Sequence, residues 1–542
     1  DWPTQNIGEI TMDWRNQTLW VGTGENNSSR SSYSGIGILK TEPNGSSWVN
    51  VGLSDSHHIG KIIINPSDKD HVIVGVTGHL YSKNKNRGVY VSNDGGETWK
   101  NTLYINDTTG IIDMAVTPNS FNIMYASAWE KDRKAWNLDE DGKSSAIYKS
   151  IDGGETWDKI SKENSGFPVG EGVGRIGIAV YDENIVYAVL DNQYRRQLKT
   201  QNENLTKESF KDISVDNFKK IKTEDLNRFL RSNRFPKKYN AESVNSDINS
   251  GKIEPNDLYS YLVNANSELF DTPVIGAEVY KSVDGGQSWK KTHETYLEGL
   301  YYSYGYYFGK IHVDPNNSDK IYTYGVPLIS SDDGGKTFYS IGKENVHADH
   351  HDLWINPNKP GHLINGNDVG VNITYDDGKN WIKNNSTEVG QFYSINVDYQ
   401  KPYNVYGGLQ DNGVWMGPHN SIESKRWNMS GKYPWKSILG GDGMEVQIDN
   451  RNPNIVYTGS QFGFYSRLDL ETGKRRSIKP VHELGQSPFR FNWQTPIRLS
   501  SHNQDVLYYG SNFLHRSSDK GESWKTISDD LTNGGKMGNV PY

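Results

Sequence analysis

Cysteine is absent from this 542-residue chain. That excludes disulfides, thiolate metal sites and a cysteine nucleophile, and it leaves cytosol and envelope equally open. Long apolar runs are missing too: apolar residues make up 34% of the chain, and no stretch has the length of a membrane-spanning helix. Nor is there an excess of positive charge fit for nucleic acid. The net charge is −8, with lysine and arginine scattered rather than clustered. The chain starts at Asp1 without a signal peptide and stops at Tyr542 as if entering another unit, so it reads as a mature segment of a longer protein.

What the chain does have is glycine and aromatics, with 55 Gly, 16 Trp and 33 Tyr, as repeated turns between packed strands require. One phrase recurs six times: Ser92-Asn-Asp94-Gly-Gly96-Glu-Thr98-Trp99, then Ser150 to Trp157, Ser282 to Trp289, Ser331 to Phe338, Thr374 to Trp381 and Ser517 to Trp524. Glycine supplies positive φ, and the Asp bonds amides inside the turn. Six copies in register between alternating strands predict an all-β propeller of four-stranded blades. A protein seldom needs six copies of one active site, so Asp94, Asp152, Asp284, Asp333, Asp376 and Asp519 are read as structural.

The strand pattern predicts nine units, near 7–53, 59–105, 110–161, 174–292, 308–342, 351–384, 391–430, 444–479 and 495–528, with a domain boundary near Asn385. Residues 1–385 form the first blades and 386–542 further ones. Between about 199 and 271 the period changes. Phe210, Ile213, Phe218, Ile221, Leu226, Phe229 and Leu230 recur at helical spacing, with Thr223 as a cap, so a small α-helical insertion is expected within the first domain.

Antiparallel blades put the repeated Asp-Gly turns on one face, and the loops between second and third strands and between blades on the other. That second face holds Glu25, Arg30, Arg175, a tyrosine-rich run from Tyr301 to Phe308, Gln410, Trp415, Arg490 and Trp493. Such a set suits a ligand surface carried by a rigid scaffold. His347, Asp349, His350 and His351 are candidate ligands for a divalent metal, although adjacent strand residues point to opposite sides. Otherwise no cofactor is expected. Asp349, Asp368, Asp411 and Asp442 are candidate catalytic acids. A glycosidase would need two of them roughly 5 to 9.5 Å apart, with Trp415, Trp427, Trp435 or Trp493 to stack on sugar.

The repeat resembles the Asp-box, or BNR repeat, of sialidases, sortilin-type receptors and polysaccharide-hydrolysing propellers. The Phe-Arg-Ile-Pro motif that a sialidase would carry is missing, which argues against that activity. Segments 346–356, 407–415, 440–447 and 491–496, with the insertion ending in 269–277, resemble sortilin-like or glycosyl-hydrolase-like repeat proteins of the bacterial cell envelope. That resemblance implies either one ten-bladed ring or two seven-bladed propellers, secretion to the periplasm or cell surface, and envelope protein partners. Two functions follow as expectations: a binding or scaffold propeller for a protein, peptide or glycan, or a glycoside hydrolase.

Overall fold

The computed structural model describes the chain except for residues 1–3, 5, 42–44, 46, 136, 197–204, 264–273, 303, 385–389, 423, 432 and 533–542, and the side chains of Trp427 and Asn428. The described residues form nine four-stranded antiparallel sheets, the blades of a β-propeller fold, and one two-stranded sheet. Blade 1 runs from Ile7 to Asn50, blade 2 from Ile59 to Leu103, blade 3 from Thr109 to Lys159 and blade 4 from Val173 to Lys291. Blades 5 to 9 span 310–340, 350–384, 392–439, 446–477 and 497–526. No helix among the described residues is long and apolar enough to cross a membrane.

The chain divides into two compact units, the first made of Asp1–Leu198 and Phe270–Thr387, the second of Lys199–Leu269 and Glu388–Tyr542. Blades 1 to 6 belong to the first and blades 7 to 9 to the second. Asn385, the expected boundary, lies outside the described residues.

In unit 1 the first strands of successive blades pack side by side. Second strands such as Val72–Val76 are buried throughout, because each is covered on both faces by neighbouring blades. Crowding on the first strands demands small residues: a Cβ added to Gly177 in blade 4 would sit 2.1 Å from the Gly309 carbonyl oxygen at the entry to blade 5.

Each Asp-box is a closed hydrogen-bond cage. In blade 2, Ser92 Oγ donates to Asp94 Oδ1 at 2.7 Å and accepts the Gly96 amide at 2.8 Å. Asp94 also accepts the amide and hydroxyl of Thr98 at 2.9 and 2.5 Å. Gly95 and Gly96 have φ of 71° and 98°, which is why two glycines stand there. All six turns are clipped to the first turn of their own blade, through Gly95 N–H to Asp70 O, Gly153 to Asn122, Gly285 to Asn184, Gly334 to Asp319, Asp377 to Gly361 and Lys520 to Asp505. Within each of these blades the contacts put the Asp-box and the first turn at the same end. The Asp-box carboxylates are thereby spent inside their turns.

The insertion folds as helices α1 (Val215–Phe218), α2 (Thr223–Ser232), α3 (Ala241–Asn249) and α4 (Asn256–Leu262) around Phe210, Phe229, Val244 and Leu258. Thr223 is the first residue of α2 and not its cap; Lys222, with extended φ and ψ, takes the cap position, and no side chain caps the helix. Although it interrupts blade 4, the insertion belongs to unit 2 and not to the first domain. Leu484 completes its core, and Glu483 accepts from both Lys238 and Tyr239.

Candidate functional site

Unit 1 gathers its chemistry where the loop 301–308 meets the loops of other blades. Arg175, at the start of blade 4, donates through Nη1 to the carbonyls of Tyr306 and Tyr307 at 2.9 and 3.1 Å. The Tyr307 hydroxyl reaches Glu25 of blade 1 at 3.5 Å, and its ring lies edge-on to His351 of blade 6 at 5.7 Å. Tyr306 stands under the Arg133 guanidinium of blade 3, 5.3 Å away. One tyrosine loop thus touches blades 1, 3, 4 and 6. Along the first strands of unit 1, Lys61, Asp113, Lys310, His312 and Asp352 line a cavity of about 240 Å³.

The expected metal group separates in this arrangement. His350 is 2% exposed, hydrogen-bonded through Nδ1 to Asn365 Oδ1 at 2.7 Å, and burial pushes it down to about 4. His351 turns the other way and meets Asp368 Oδ1 at 2.5 Å, while His347 Nδ1 lies 3.0 Å from the Ala348 carbonyl. Asp349 has φ of 60° at the strand entry. Among the described residues no three His, Cys, Asp or Glu side chains stand close enough to share an ion. Arg30 is exposed, with its carbonyl accepting from Tyr81 at 2.6 Å.

The same mouth holds acids that sequence reading missed. Asp191, 1% exposed on the second strand of blade 4, accepts from Gln193 at 2.7 Å. A Cβ on Gly305 would fall 2.0 Å from its carboxyl, so the tyrosine loop lies directly over it. Glu140 has a buried Oε2 without a hydrogen-bond partner. Burial, followed by the charges of Asp191 and Asp141, pushes Glu140 up; burial, with Asp141 adding, pushes Asp191 up as well. The one sequence signal for Asp191 is a carboxylate closing the apolar run 186–190; Glu140 has none.

In unit 2 the structure brings Asp411 and Asp442 together. Asp442 Oδ1 accepts the Asp411 amide at 3.2 Å and the Tyr393 hydroxyl at 3.4 Å. Trp493 Nε1 donates to the Tyr393 hydroxyl at 3.1 Å. Burial, with the two aspartates adding, pushes Tyr393 up to about 12. Tyr393 joins blades 7 to 9 here and was not anticipated. Gln410 accepts from Asn412 at 3.0 Å, and the partly exposed Trp415 donates to the Asn412 carbonyl at 2.7 Å. Two expected members take other roles. Trp435 packs over Gly417, where an added Cβ would lie 2.4 Å from its ring, and Arg490 pairs with Asp530 at 3.0 Å.

The family described as BNR/Asp-box repeat matches residues 90–101. The chain carries Asp-box repeats on β-propeller blades. A search of curated proteins returns no match. Among solved structures, a glycoside hydrolase family 74 enzyme from Niastella koreensis is 15% identical, with 96% of this chain and 69% of that one covered and a TM-score of 0.35. A family 74 xyloglucanase from Xanthomonas campestris is 13% identical over 98% and 80%, TM-score 0.35. The extracellular domain of a one-component system of B. thetaiotaomicron, described as putative, is 12% identical over 96% and 58%, TM-score 0.30.

Proposed function

We propose that this Asp-box chain is an extracytoplasmic binding propeller that presents the loop face of blades 7 to 9 to a glycan. The observation that carries the reading is the linked set Asp442, Tyr393 and Trp493, joined at 3.4 and 3.1 Å. A carboxylate acceptor, a phenol and an indole offer sugar hydroxyls partners and a face to lie on. The carboxylate of Asp442 is already engaged by an amide and a phenol, and that of Asp368 by His351, which suits recognition better than proton transfer. Gln410, Asp411 and Trp415 flank the set.

The test is a polysaccharide and oligosaccharide panel, read both for binding and for release of reducing ends, with wild type, Trp493→Ala and Asp442→Asn. Binding without bond cleavage, weakened roughly tenfold or more in Trp493→Ala, is expected. Cleavage that disappears in Asp411→Asn and Asp442→Asn would replace this reading with a glycoside hydrolase. Failure to retain any glycan would end it.

A further inference from the structure

The second strand of blade 3 ends at Glu130, and in the Lys131-Asp132-Arg133 that follows, two side chains are cations taken out of water. Lys131 is 5% exposed and Arg133 is 6% exposed. Removing a charge from water is costly unless an opposite charge or a full set of hydrogen bonds replaces the solvent. Other cations of unit 1 have such partners. The half-buried Lys61 meets Glu9 at 3.1 Å, the buried Lys320 meets Asp332 at 2.6 Å, and the buried Arg87 donates to the carbonyls of Thr77, Thr108, His79 and Ser82, although its Nε is left without a partner.

Lys131 and Arg133 do not. Among the described residues neither forms an ion pair; the Lys131 ammonium lies 5.7 Å over the Trp129 ring, and Arg133 Nε is buried without a hydrogen-bond partner. Positions two apart in extended chain share a side, so both cations face one way. Asp132 faces the other way and is drawn to Lys134 at 2.9 Å. Further polar atoms nearby lack partners, namely His58 Nδ1 and Arg175 Nε. Arg175 lies 5.9 Å over the same Trp129 ring, and the Lys131 charge is felt at His58. Glu140, which feels Arg133, and Asp191, which feels Arg175, are both pushed towards their neutral forms by burial.

We propose that Lys131 and Arg133, backed by Arg175 and His58, form an anion site on the loop face of unit 1 that takes one oxyanion group, a carboxylate or a sulfate ester. The site stands independently of the glycan reading for blades 7 to 9. Burial, with the charges of Arg87 and Arg133 adding and Asp132 opposing, pushes Lys131 down to about 7. The site therefore gains charge as pH falls through neutrality, and binding should tighten in step.

Calorimetric titration of the full chain with sodium sulfate and, separately, with galacturonate would test this, with glucose as the neutral control. Saturable binding of at least one anion is expected, stronger at about pH 6 than at about pH 8.5, and weakened roughly tenfold or more in Arg133→Gln and Lys131→Met. Preference for one probe then names the group, sulfate or carboxylate. No saturable binding of either probe at millimolar concentration would overturn the proposal, and so would equal affinity in both variants. Should Arg133→Gln fail to fold, Lys131→Met carries the test, because it replaces a buried cation with a neutral side chain. A variant that loses thermal stability while keeping wild-type affinity would assign these cations a structural role and refute the site.

Discussion

Lys131→Met should make the anion-free protein more stable, although it deletes a native charge. The ammonium of Lys131 falls from 10.5 to about 7 because burial strips its water and Arg87 and Arg133 repel it. At about 1.4 kcal/mol per pH unit that fall corresponds to roughly 5 kcal/mol. Side-chain relaxation and water entry reduce such figures, so a gain of about 2–4 kcal/mol is expected. Methionine keeps much of the apolar length of the lysine side chain. The sign follows from the depressed value. Folding disfavours the protonated amine, so the cost is complete below about 7 and fades as pH rises towards 10.5. Urea unfolding is the assay, since guanidinium chloride would add competing ions. The variant should exceed wild type most at about pH 6 and converge with it near about pH 10.5. Equal stabilities at low pH, or a gap that does not change with pH, would refute the reasoning.

Asp333→Asn should cost about 1–2 kcal/mol, read by urea unfolding, because Asp333 accepts from Ser331, Lys336 and twice from Thr337. These bonds hold its carboxyl down at about 2, so the stability it contributes is present above the usual carboxylate range and disappears from wild type as pH falls towards about 2. Gly177→Ala should cost about 1–3 kcal/mol, because the new methyl meets the Gly309 carbonyl oxygen, which is backbone and cannot swing aside; thermal unfolding checks it. Leu484→Ala should cost about 2–4 kcal/mol within the insertion core. Limited proteolysis should then cut faster near α2 and α3 while circular dichroism of the blades is unchanged.

The blades were legible because their signal is local. Ser92, Asp94, Gly96 and Thr98 satisfy one another within a single turn, so spacing alone reports the geometry. Strand alternation then placed the loop residues; Asp411 and Asp442 are hydrogen-bonded to each other, and Tyr393 links Asp442 to Trp493. Tyr393 escaped notice because it joins them from the first strand of blade 7, where nothing in its own neighbourhood marks it. Glu140 and Asp191 were invisible for a related reason: their character comes from burial, and the loop 301–308 lies over Asp191. The allegiance of the insertion was equally hidden. Its helices follow from apolar spacing, but the partner that completes their core is Leu484, far along the chain.

That last contact constrains how the protein can be made. The helices leave the ribosome long before Leu484 and Glu483 do, and at about 5–20 residues per second the wait is on the order of ten seconds or more. Through that interval Phe229, Leu258 and their neighbours lack one wall of their core. A nascent chain halted after blade 6 would thus carry an unfinished helical module in the middle of an otherwise complete set of sheets. No single cut in the chain can part the two units cleanly, since each contains a stretch that the other surrounds in sequence.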